Sequence, residues 1–186
     1  MNQSLEEDKT INEDSINKLE KIVEDIKVHV NAGIKAITFH SDDALRYGSK
    51  NFLIDEDALM NLYKAAFEAG AKEVYITHAT LAPFAYQPDV IERLTKFLRR
   101  KGHKYYGCQP GIETASSKLI RMHMRGKPLP YKPEEWSDMI KEAYKVMTQN
   151  RWVSVGTLMQ GLPGEEKEDV LETIELIKAL DKYPSL

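Results

Sequence analysis

Glu113 and the run Gly161-Leu162-Pro163-Gly164-Glu165 stand 48 residues apart, each just after a stretch that reads as a β-strand. A carboxylate at a strand end can grip hydroxyl or amino groups, and a glycine there lets backbone approach a ligand. Two earlier strand ends carry similar chemistry: His40-Ser41-Asp42-Asp43, and His78 with Thr80. An acid in the first of these favours an ammonium by charge-assisted hydrogen bonding, or Ser41 and Asp42 simply form a turn. Ser116 suits a ligand contact and equally a helix N-cap. Arg125 offers a planar fork for a carboxylate, or is a solvated loop charge. Glu165 reads as a site acid or as a first-turn acid favoured by the helix dipole. His40, His78 and Thr80 sit where substrate contacts are expected. No residue is assigned a catalytic role, and no metal-ligand set is read. The one cysteine, Cys108, excludes an internal disulfide and any cysteine-only metal site within this chain, and reads as a small buried hydrophobe.

The elements that must position these residues alternate. Ser15–Ala32 carries Ile16, Leu19, Ile22, Val23, Ile26 and Val30 at helical spacing, with Gly33 as C-cap. Strand 34–40 follows, then helix 56–69 capped by Asp55 and closed by Gly70, and strand 73–78. Helix 89–101 leads into strand 103–108. A short helix over 116–124, a Pro-rich loop (125–132), a helix from Pro133 to about Gln149, strand 152–159 and helix 167–180 complete the order. Alternation of this kind implies a parallel sheet with right-handed crossovers, and therefore ligand-binding loops at the C-terminal ends of the strands. Residues 1–14 are polar and acidic and read as disordered; 15–186 form one domain. The chain opens on a helix with no strand before it and closes on a helix with none after. It therefore reads as the middle of a barrel, cut on both sides.

Composition narrows the partners. With 186 residues, 42% hydrophobic and 30% charged, the chain is an ordinary single domain with a proper core. A net charge of −3 gives no electrostatic case for nucleic acid or membrane lipid. No run approaches the roughly 18 apolar residues of a spanning helix, and the start is no signal peptide, so the cytoplasm is expected.

Five segments, 32–43, 77–83, 111–116, 124–136 and 161–170, stand in an order that resembles radical S-adenosylmethionine (SAM) enzymes. The resemblance covers roughly residues 15–180 and is to the archaeal and bacterial group often fused to a cobalamin-binding domain. It implies a partial TIM-type barrel, of which this chain supplies four parallel strands with outer helices. It also implies a SAM pocket: Ser41 and Asp42 toward the amino group, Glu113 and Ser116 toward the ribose or amino-acid portion, and Arg125 toward the carboxylate. Gly161, with Gly164, would lie against the adenine and Leu158 or Met159 on its face, with Glu165 one position away from the family's glutamate. The family's C-x₃-C-x₂-C loop, which holds a [4Fe–4S] cluster in a complete member, has no counterpart here; cobalamin belongs to the full protein if at all.

Two functions follow from that likeness. One is a truncated or split radical SAM enzyme, inactive alone, acting on a small molecule the sequence does not name. The other is a non-catalytic SAM-pocket subunit that associates with a partner chain carrying the missing strands, or with itself. A third reading, an unrelated TIM-like enzyme using Glu113 and Asp42 as acid and base, lacks a metal or phosphate motif to support it.

Overall fold

A computed structural model describes residues 18–183. The expected disorder of residues 1–14 and the first residues of the opening helix lie outside them. In chain order the elements are α1 (18–31), β1 (Ala36–Phe39), α2 (Glu56–Glu68), β2 (Glu73–Ile76), α3 (Ala82–Tyr86), α4 (Pro88–Arg100), β3 (Tyr106–Cys108), β4 (Gly111–Glu113), α5 (Ser117–His123), α6 (Trp136–Gln149), β5 (Trp152–Ser154), β6 (Thr157–Leu158) and α7 (Lys167–Leu180). Single 3₁₀ turns occupy Ala44–Arg46 and Pro133–Glu135.

The fold is mixed α/β, and every strand pairing among the described residues is parallel. Phe39 lies opposite Ile76, Cys108 opposite Ser154, and Glu113 opposite Leu158. The Gln109 amide donates to Thr77 O at 2.7 Å, which links the end of β2 to the end of β3. The described strands form three two-stranded sheets, β1–β2, β3–β5 and β4–β6, and close no barrel.

Local chemistry fixes the helices. Asp55 accepts from the Ala58 amide at 2.9 Å and so caps α2, whose Leu59, Leu62, Tyr63 and Ala66 form one buried stripe. Pro88 opens α4, Arg99 and Arg100 close it, and Val90, Ile91, Leu94 and Leu98 face inward. One core joins these stripes to Ile37, Val74, Ile76, Tyr106, Cys108 and Trp152 from the strands. Ala36, Thr38, Tyr75, Gly107 and Val153, which alternate with those strand residues, are exposed or half-buried. Helices thus cover one face of the sheet and leave the other open.

Several expected bounds shift, each for a physical reason. The third strand starts at Tyr106 rather than His103, because His103 Nε2 accepts from the buried Val74 amide at 2.9 Å and takes the place of a ladder bond. The long strand over 152–159 breaks into β5 and β6 at Gly156. A Cβ there would lie 2.7 Å from the Tyr144 hydroxyl and 2.8 Å from Ile112 Cδ1, so the packing of α6 and β4 demands glycine. Residues 111–113, expected as loop, form β4. The helix expected from Pro133 begins at Trp136, after a 3₁₀ turn.

Candidate functional site

Glu113 ends β4 in a left-handed backbone conformation, φ 62°, which a residue other than glycine adopts only when its surroundings over-determine it. The surroundings here are Lys127 and Gly111. Lys127 Nζ reaches Glu113 Oε1 at 2.6 Å, with side-chain exposures of only 20% and 14%. A Cβ at Gly111 would overlap Glu113 Oε1 and lie 2.5 Å from Lys127 Nζ. The ion pair therefore rests over the bare Cα of Gly111, in the space a side chain there would take. Glu113 O accepts from the Met159 amide at 2.8 Å, and Leu158 and Met159, both about half exposed, stand beside it. Carboxylate, ammonium and apolar wall together suit a ligand with hydroxyl groups and a flat apolar part.

The ends of β1 and β2 form a second cluster. His40 Nδ1 lies 3.1 Å and His78 Nδ1 3.0 Å from Thr77 Oγ1, with the two rings edge to face. Asp43, rather than its neighbour Asp42, is drawn into the fold: its Oδ2 accepts from Thr80 Oγ1 at 2.5 Å and faces Arg46 at 3.5 Å. Burial lowers the Arg46 pKa, and the Asp43 charge opposes that shift. Asp43 Oδ1 and Arg46 Nε are buried with no protein partner, so this corner has room in its bonding for one further polar atom. Arg46 Nη2 donates to Leu129 O at 3.0 Å. The loop 124–132 is thereby pinned at Leu129 over one cluster and at Lys127 over the other. Ser41 and Asp42 are exposed on the β1 turn.

Other expected site residues are committed locally. Ser116 is buried and caps α5, accepting from the Leu119 amide at 3.3 Å while its hydroxyl donates to Asp169 Oδ1 at 2.5 Å. Asp169 also meets Lys118 at 2.7 Å and the Glu166 amide at 2.8 Å. Lys118 first, and Ser116 after it, hold the Asp169 carboxyl down at about 2. Glu165 accepts from the Gly161 amide at 2.6 Å and closes its own turn, where Gly161 takes φ +83°. Arg125 is exposed and donates to Arg121 O at 2.8 Å.

Lys127 and Thr77 were not singled out in the sequence, although Lys127 lies within the 124–136 segment and Thr77 at a strand end. A groove of about 290 Å³ lies elsewhere, between α1 and β1, lined by Ile22, Ile26, Phe39, His40, Ser41 and Tyr47 among others. It touches the histidine cluster and not Glu113; the charged groups and their constrained geometry, rather than cavity size, mark the site. Among the described residues no group of three or more His, Cys, Asp or Glu is placed to hold a metal ion, and no helix is long and apolar enough to cross a membrane. No protein-family model matches the chain, and no curated protein does.

Proposed function

We propose that this chain is the ligand-holding core of a radical SAM-type partial barrel, working in the cytoplasm on a small-molecule substrate. The observation that carries the reading is Glu113, at positive φ on a strand end with its carboxylate paired to Lys127 above Gly111. Its carboxylate can accept from the two vicinal hydroxyls of a ribose, with Leu158 or Met159 against the adenine. The helices on one face of a parallel sheet, with Thr38, Tyr75 and Gly107 on the open face, support the barrel part of the reading. Parallel sheets are otherwise covered on both sides.

The residues of this chain do not fit an iron–sulfur cluster. Its single cysteine, Cys108, is buried, and burial pushes its thiol up to about 12, away from the thiolate a cluster needs. Cluster, and cobalamin if used, belong to polypeptide outside this chain in the proposal. What the chain contributes is the adenosyl pocket. Calorimetry with SAM tests this. Without the iron that anchors the methionine end, binding is expected at hundreds of micromolar or weaker. Glu113→Ala removes bonds to a charged acceptor worth about 1.5–3 kcal/mol, a loss of roughly ten- to a hundredfold. Affinity unchanged by Glu113→Ala overturns the pocket.

One observation favours the second reading, a non-catalytic subunit joined to a partner chain or to another copy. Leu171, Ile174 and Ile177 line one face of α7 at three-residue spacing and are 40–48% exposed. Apolar residues so grouped mark association surfaces. Light scattering at high concentration decides it: a stable monomer counts against self-association.

A further inference from the structure

The outer face of α7 carries a symmetry that its contacts inside the molecule do not use. Asp169, Leu176 and Leu180 are buried, which turns Leu171, Ile174 and Ile177 outward, each at least 40% exposed. Lys167, Ile174 and Asp181 stand seven residues apart. Seven residues make almost two helical turns, so the three lie on one line along the exposed face, with a charge about 10 Å to either side of Ile174. Asp181 keeps helical dihedrals at the C-cap, φ −56° and ψ −23°, so the line runs unbroken to its end. Among the described residues neither Lys167 nor Asp181 has an ion-pair partner. Both also sit where the dipole of α7 disfavours them, a cation at the N-terminus and an anion at the C-terminus.

We propose that α7 pairs antiparallel with α7 of a second copy of this chain, across a twofold axis through Ile174. The pairing rests on the second reading, self-association, and gives it a surface and an orientation. An isologous contact requires a surface that complements itself when turned about its centre. This line does so: Ile174 meets its counterpart, and Lys167 comes level with the partner's Asp181 at both ends. Leu171 comes level with the partner's Ile177, on either side of that seam. Each misplaced charge also gains the helix end it lacks, Lys167 beside the partner's C-terminus and Asp181 beside its N-terminus. A parallel pairing would instead set like charges together at both ends. One helix face is far smaller than the roughly 800 Å² per partner of a stable interface, so the dimer is weak, with a dissociation constant on the order of 100 µM.

The test is sedimentation equilibrium of the full chain over concentrations that bracket that value, with circular dichroism to check folding of each variant. Wild type should shift from monomer toward dimer across the range, and Ile174→Asp should stay monomeric. Lys167→Asp and Asp181→Lys each turn two attractive contacts per dimer into repulsive ones, and should weaken it about tenfold or more. The double variant restores both pairs with reversed sign and should return toward wild-type affinity. Glu172→Lys makes the same change of charge as Asp181→Lys, at an exposed position on the far side of the helix from Ile174, and should have no effect. Dimers that tolerate Ile174→Asp, or single swaps that the double swap does not rescue, overturn the α7 pairing and leave self-association standing. A wild-type monomer throughout overturns both.

Discussion

Asp169→Asn isolates one charge at the junction of α5 and α7 while keeping the shape of the side chain. The aspartate is 5% exposed, and its carboxylate takes Lys118 Nζ, the Ser116 hydroxyl and the Glu166 amide within 2.5–2.8 Å. With Lys118 as the largest cause, the carboxyl is held at about 2 against an ordinary 3.8. That gap corresponds to roughly 2.4 kcal/mol. The Lys118 side chain is 39% exposed, so solvent screens part of the attraction and about 1–2 kcal/mol is the better expectation. The sign follows from the depressed pKa: the stabilisation is complete above about pH 4–5 and is lost as pH falls through about 2. Urea unfolding followed by circular dichroism at pH 7, 4 and 2.5 should show Asp169→Asn less stable than wild type at pH 7, with the difference shrinking toward the lowest pH. A difference that is absent at pH 7, or constant across the series, refutes the argument.

Gly111→Ala should push the Glu113–Lys127 pair aside at a cost of about 1 kcal/mol or less by thermal unfolding, because its Cβ meets only the ends of two flexible side chains; a loss of about 3 kcal/mol would mean the pair is fixed in place. Thr80→Val should cost about 1.5–3 kcal/mol in urea, since it strips a hydrogen bond from a carboxylate whose other oxygen already lacks a partner. An unchanged midpoint counts against the Asp43 corner as described. Cys108 should resist a thiol-directed reagent at pH 8 in the native protein and react in urea, because burial shields it and raises its pKa to about 12. Rapid labelling of folded protein would show that the strand is open.

Elements governed by local chemistry were legible in the sequence. The α7 bounds, 167–180, match its apolar spacing, and Asp55 and Ser116 cap the helices their residue types suggest. The alternation of helix and strand gave the parallel pairing, since short helix-to-strand turns leave no other route. Features set by distant partners were not legible. Nothing near Asp42 and Asp43 says which of two adjacent acids turns inward; Thr80 and Arg46 decide it. Lys127 meets Glu113 across 14 residues that include α5, with no periodicity to announce the pairing. His103 sits in a run that reads as strand, and only its bond to the Val74 amide takes it out of the ladder.

The two tryptophans give this molecule an optical probe of its own. Trp136 is 1% exposed and its indole N–H donates to Thr114 O at 2.8 Å, one residue beyond Glu113. Trp152, 2% exposed, donates instead to Thr95 Oγ1 at 2.8 Å and packs against Phe84 and Tyr106 in the core. Indole emission responds to the field at the ring, so a rearrangement of the Glu113 strand end acts on Trp136 through that carbonyl. Trp152, bonded on α4, serves as an internal reference. With Trp152→Phe, intrinsic fluorescence would watch that strand end alone, without an attached dye.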